Sequence, residues 1–235
     1  RASDLQFIDQ DRVWAAQRRD VEAFEDEPLI AGVDFSGGGS AWNVVRFRRG
    51  SDARSISPLR VPGEATRTDL SAFLSTLATL LADRTPGKKL AAMFCDSAYG
   101  APYVVLLRQM GYTNVFEVNF GAVTSPDEAH SANMRAYMWK QMREHLVYMA
   151  IPEDDHRLEA DLCAPGHHLD RRDRLVLESK ASLQKRGVAS PDDADALALT
   201  FAAPLGPRKK ANPLQKRRQR FAGRMTHGGS DRWTH

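Results

Sequence analysis

The sequence predicts an α/β protein: one mixed sheet, an antiparallel meander followed by parallel strands, with helices on both faces. Three observations carry this. Short apolar segments bounded by Gly, Pro and Asp alternate with longer segments of helical periodicity. They come as three consecutive strands, then helix–strand–helix–strand, then helices, which makes a meander continued by crossovers. Two strand segments end on an aspartate, Asp34 in GVDFSGGG and Asp96 in MFCDSAYG. In a sheet with parallel neighbours, carboxyl ends of strands border the crevice where ligands bind.

Residues 1–27 read as a polar, mostly helical lead-in (DRVWAAQRRDVEAF) closing on the acidic turn EDEP. PLIAGVDF is a buried strand that stops at Gly37. AWNVVRFRR and RSISPLRV are two short strands, joined through Gly50 and Asp52. Residues 65–83 put Leu70, Phe73, Leu74, Leu77, Leu80 and Leu81 on one helical face. KLAAMFCD is a fourth strand, GAPYVVLLRQMGY a helix closed by Gly111, and NVFEVNFG a fifth strand. In the amphipathic helix ANMRAYMWKQMREHLVYM, Met134, Tyr137, Met138, Met142 and Leu146 face inward. A short helix near Asp155–Cys163, a strand RLVLES, a helix near Lys180–Arg186 and the helix in SPDDADALALTF complete the order.

The chain has 235 residues, 42% of them hydrophobic, enough for a sizeable core. It holds no run of about 18 apolar residues and no signal peptide, so no membrane is expected. Cys95 and Cys163 make neither a disulfide framework nor a CxxC pair, which fits a reducing, cytosolic setting. Charge is unevenly placed. Nine of the 33 Lys/Arg but one of the 30 Asp/Glu lie from Pro207 onward, leaving 24 against 29 before it. The division expected is a lead-in (1–27), an acidic globule (28–206) and a basic tail (207–235). The tail, with Lys209, Lys210, Lys216, Arg217, Arg218 and Arg220, would attract phosphate backbones by counterion release. A solvated terminus without a specific role is the competing reading.

Asp192, Asp193 and Asp195 crowd the first turn of a helix whose remainder looks buried. Asp192 and Asp195 share one face, and Asp193 points about 100° away. If Ala194, Leu197, Ala198 and Phe201 pack on the sheet, that turn sits above Asp34. Clustered carboxylates repel one another, so a divalent cation is expected among them. Oxygen ligands suit Mg²⁺ or Mn²⁺. Two such ions about 4 Å apart would activate a water and stabilise a leaving oxygen in phosphodiester hydrolysis. Singly, each aspartate is an ordinary helix cap or turn former; only the combination points to a metal.

Other chemistry is set aside. Gly37–Gly39 match neither GxGxxG nor GxxxxGK[ST], and TPGKK at Thr85–Lys89 precedes a strand. His167 and His168 lack a second His/Cys set and read as surface-loop residues. Cys95 reads as a small core residue.

GVDFSGGG, FCDSAYGAPYVVLLRQMGYTNVFEVNFG and LESKASLQKRGVASPDDADALALTF, in this order, resemble the C-terminal nuclease domain of bacteriophage large terminase subunits. The resemblance spans about residues 29–203. It implies an RNase H-like fold and a metal-dependent endonuclease that cuts concatemeric double-stranded DNA with low sequence specificity. It implies Asp34 as the central metal bridge and Asp96 as the second ligand, with Asp192 and Asp195 both candidates for the third. Lys180 matches a recurring lysine, which would either contact the scissile phosphate or pair with a carboxylate. The implied partners are DNA, an N-terminal ATPase domain outside this chain, a portal and a small terminase subunit, in the cytoplasm of an infected host cell. Arg171, Arg172 and Arg174, with the tail, would hold the DNA backbone. Ser40 departs from the pattern, standing where relatives often have a second acid, which weakens a second metal position. Two other readings stand beside this one: a junction resolvase or transposase-like nuclease, and a non-catalytic DNA- or portal-docking module.

Overall fold

The computed structural model describes residues 6–22, 24, 26–38, 40–123 and 126–206. Its central sheet holds β1 (Leu29–Asp34), β2 (Trp42–Arg49), β3 (Leu59–Pro62), β4 (Leu90–Asp96) and β5 (Val115–Val118), in the order β3-β2-β1-β4-β5. β1–β2 and β2–β3 pair antiparallel, while β1–β4 and β4–β5 pair parallel. The helices are α1 (Gln10–Gln17), α2 (Gly63–Thr68), α3 (Ser71–Ala82), α4 (Ser97–Gln109), α5 (Met134–His145), α6 (His156–Cys163), α7 (Lys180–Lys185) and α8 (Asp192–Leu199). A two-stranded sheet, β6 (His167–Leu169) with β7 (Leu175–Leu177), lies between α6 and α7 in sequence.

Strand alternation divides the core. Leu29, Ala31 and Val33 face Phe73, Leu77 and Leu81 of α3 and Tyr103, Val104 and Leu107 of α4. On the other face, Ile30, Ala92 and Phe94 pack with α5 and α8. Each large side chain so buried contributes about 1.5–3 kcal/mol. Every residue of α8 is buried, which is why its sequence lacks a polar face beyond its aspartates.

Gly32 lets α8 come this close. It lies between Ile30 and Asp34 on that face, and a Cβ there would stand 2.0 Å from the Ala196 carbonyl oxygen. β2 then fixes both ends of the helix with two arginines of one strand face. Arg46 binds Asp193 in the first turn, and Arg48 donates to Thr200 Oγ1 (2.9 Å) and its carbonyl (2.8 Å) at the far end.

The structure departs from the sequence pattern locally. The helix expected over 65–83 is two helices, because Asp69 accepts from the Ser71 amide (2.7 Å) and hydroxyl (2.6 Å), and Leu70 is exposed at the break. The lead-in is helical only over Gln10–Gln17, yet Phe7, Ile8, Val13 and Ala16 are buried in the same core as α5 and α8. His167 and His168 sit on β6, not on a loop; pairing with Leu177 and Val176 makes them strand residues. Cys95 is fully buried. Among the described residues no helix is long and apolar enough to cross a membrane.

Candidate active site

β1 and β4 run side by side with Val33 opposite Cys95, so their last residues, Asp34 and Asp96, emerge together at the carboxyl edge of the sheet. Asp34 is 1% exposed, and Asp96 also caps α4 by accepting from the Ala98 amide (3.2 Å). The first turn of α8 brings up Asp192 and Asp195. Lys180, the first residue of α7, joins them: its Nζ lies 2.9 Å from Asp34 Oδ2, 3.1 Å from Asp195 Oδ2 and 3.7 Å from Asp192 Oδ1. Of the two roles open to Lys180, the structure shows the carboxylate pairing.

The three aspartates of α8 do not cap their own helix, for no side chain caps its start. Other elements hold them. Asp192 Oδ2 accepts from the Trp42 amide (2.9 Å). Asp195 Oδ1 accepts from Trp139 Nε1 (2.7 Å) and Arg135 Nε (2.9 Å), both on α5. Asp193 turns away, as its position on the helix requires, and accepts from Arg46 Nε (2.9 Å) and Arg60 Nε (3.0 Å). The same arginines bind Asp155, which caps α6. Asp193's own amide donates to Asp161 (2.8 Å).

The electrostatics follow from crowding. Burial pushes the Asp34 carboxyl well above the usual range; Lys180 pulls it back, and Asp195, Asp192 and Asp96 push it up again. Burial also raises Asp96, to about 6, against the opposing charge of Lys180. Burial would raise Asp195 too, but Arg135 and Lys180 outweigh it and hold it low. For Lys180, burial works against the charge, yet Asp34, Asp195 and Asp192 keep the ammonium well above the ordinary lysine range.

Lys180 fills the centre of this group, and among the described residues no cluster of three or more Asp, Glu, His or Cys forms a metal cage by itself. The donors nonetheless fit a hard divalent cation. Among the described residues the cations paired with Asp34, Asp192 and Asp195 are Lys180 and Arg135, so full ionisation of these three and Asp96 would leave negative charge in excess. Asp34 Oδ1 is buried with no hydrogen-bond partner, and Asp195 Oδ2 has only its charge contact with Lys180. Carboxylate oxygens without donors are what Mg²⁺ or Mn²⁺ takes.

The expected DNA-contacting arginines do not share this setting. Arg171 and Arg172 are exposed on the turn between β6 and β7, while Arg174 is engaged by Asp170 (2.7 Å). Lys209, Lys210, Lys216, Arg217, Arg218 and Arg220 lie outside the described residues. Sequence reading missed Arg46, Arg60, Arg135, Trp139 and Trp42. A signal existed for two of them. Arg46 stands among apolar residues in WNVVRFRR, and Arg135 falls on the inward stripe with Met138 and Met142.

No family model matches the chain, and no curated protein sequence matches it. Solved structures do. The nuclease domain of the large terminase subunit of bacterial virus Sf6 superposes with a TM-score of 0.65 at 15% identity, covering 84% of this chain and 99% of that one. The HK97 bacteriophage large terminase gives 0.58 at 12% identity over 84% of this chain, which spans 43% of that protein. The large terminase nuclease of thermophilic phage G20c with bound magnesium gives 0.50 at 17%, over 79% of this chain and 89% of that one. The chain therefore has the RNase H-like fold of phage terminase nuclease domains, and its mixed five-stranded sheet matches it.

Proposed function

We propose that this chain is the nuclease domain of a viral DNA-packaging terminase large subunit, a metal-dependent endonuclease cutting concatemeric double-stranded DNA with low sequence specificity. One observation carries the reading: Asp34, Asp96, Asp192 and Asp195, from two strand ends and one helix, meet at the carboxyl edge of the sheet with Asp34 Oδ1 unpartnered. A metal would be held by Asp34, with Asp96 and the α8 aspartates. It would activate a water and stabilise the leaving oxygen. Support for the metal comes from the Sf6 domain, solved in a variant with manganese, and the G20c domain with magnesium.

The protein's own residues supply position and charge. β1 and β4 present Asp34 and Asp96 from adjacent backbone, Arg135 and Trp139 hold Asp195 in one orientation, and Trp42 does the same for Asp192. Lys180 compensates the carboxylates and must yield part of its contact when a divalent cation enters. The nuclease unit in this reading is residues 28–206, preceded by the lead-in (1–27) and followed by the basic tail (207–235). Its partners are the ATPase domain, portal and small terminase subunit, in the infected cell.

The test is plasmid nicking and linearisation with Mn²⁺, Mg²⁺ or EDTA. Wild type cuts only with metal. Asp34→Asn lowers the rate by more than about 100-fold, since outer partners of metal ligands alone are worth up to that. Retained cutting by a folded Asp34→Asn protein would sink the assignment. The closure of the carboxylates on Lys180 favours one second reading, a non-catalytic docking module. It predicts a folded wild type that binds DNA and neither takes up Mn²⁺ nor cuts.

A further inference from the structure

Beside Asp192 lies a cavity of about 490 Å³, bordered by Ser40, Trp42, Arg157, Asp161 and the chain from Gly187 to Ser190. Trp42 opens β2, and its amide already holds Asp192. Over its ring lies the Arg157 guanidinium, 4.4 Å from the centroid. Arg157 is an exposed residue in the first turn of α6. Among the described residues it has no hydrogen bond and no ion pair, so the ring contact localises its guanidinium while the N–H groups stay free.

The charges around it sharpen the picture. Asp193 is neutralised by Arg46 and Arg60, and Asp192 faces Lys180. Asp161 accepts from the Asp193 amide, and burial, reinforced by the nearby carboxylates, pushes it up to about 8, so it is mostly uncharged at neutral pH. Among the described residues bordering the cavity, Arg157 is the cation that no carboxylate engages.

Resting on the nuclease reading above, we propose that Arg157, held over the Trp42 ring, is a clamp for a DNA backbone phosphate next to the cleavage site, with the cavity receiving part of the adjoining nucleotide. A guanidinium fork matches two phosphate oxygens, and a pre-oriented one loses less freedom on binding. The clamp therefore adds affinity and register and leaves base choice open.

The experiment is fluorescence anisotropy of a short labelled duplex on the whole chain in EDTA, across a salt series, so that binding is read without cutting. Arg157→Gln weakens binding roughly tenfold, the loss of one charge-assisted pair. It lowers the slope of log K against log salt by about 0.9, the release from one phosphate. Arg157→Lys restores the slope but not all the affinity, because an ammonium does not make the flat fork. Trp42→Leu gives an intermediate loss, and Arg157→Gln, being exposed, serves if that variant fails to fold. In the plasmid assay with Mn²⁺ the Arg157→Gln effect falls on KM more than on kcat. A merely structural stack would shift Tm and leave the salt slope unchanged, and that result would overturn the clamp. The nuclease reading fails separately: wild type that never cuts, while its salt slope still depends on Arg157, keeps the clamp and removes the enzyme.

Discussion

α7 and α8 deliver charge to the same point by opposite means. α8 is buried along all eight residues, rests on bare backbone at Gly32, and has its ends held by Arg46 and Arg48. α7 is six residues long with Leu183 alone buried, and 35% of the Lys180 side chain is open to solvent although protein crowds its ammonium. So the carboxylates belong to the rigid part of the molecule and the ammonium to its looser edge. On the function proposed above, a centre that exchanges a lysine for a metal needs that division: fixed ligands and a cation that moves.

The comparison breaks first at Asp193. Asp193→Ala leaves Arg46, whose side chain is 2% exposed, and Arg60 with Asp155 as their remaining partner. Removing one member of a buried ion pair costs about 3–5 kcal/mol, and urea unfolding should show a loss of that order. A loss within about 0.5 kcal/mol, the range of ordinary surface changes, would mean that this cluster does not anchor α8.

Lys180→Ala sharpens the contrast from the other side. It removes the cation competing for Asp34, Asp192 and Asp195. Mn²⁺ should then bind roughly tenfold tighter by calorimetry. Unchanged or weaker Mn²⁺ binding would show that Lys180 does not occupy the metal's place.

The smallest effect concerns Asp161, which abuts the anchored turn. Its folded-state value of about 8, raised chiefly by burial from the ordinary 3.8, means the folded protein holds a proton the unfolded chain has lost between those two pH values. Stability contributed there is present at low pH and falls as pH rises towards 8. Asp161→Asn keeps an acceptor for the Asp193 amide and cannot ionise, so it should be more stable than wild type near pH 8 and should lack that slope. Parallel Tm curves from about pH 5 to pH 8 would refute the buried neutral carboxyl.

How much of this could be read from sequence also divides along the helices. The mixed sheet, antiparallel then parallel, and the aspartates at the ends of β1 and β4 were legible, because strand length, glycine stops and continuous apolar runs are local signals. So was the split of α8, with Asp192 and Asp195 together and Asp193 apart, since helix geometry alone sets it. What holds those carboxylates was not legible. Sequence reading expected a divalent ion and gave carboxylate pairing as one of two roles for Lys180; the chain also supplies Arg135, Arg46 and Arg60, from 60 to 147 positions away in sequence. Period alone places Arg46 and Arg135 on buried faces, but only folding says which acid meets them. The break at Asp69 was missed for a similar reason: a side chain competing for Ser71's amide leaves the apolar stripe almost unchanged.

Gly32 has a consequence for how this molecule tolerates change. Where β1 meets α8, backbone rests on backbone, with Ala196's carbonyl against a residue that has no side chain. The spacing between sheet and helix at that level is thus a gauge made of peptide units, whose dimensions no substitution elsewhere alters. Residues in either half of the core can be exchanged for others of similar volume, and the gap between Asp34 and the α8 aspartates keeps its width.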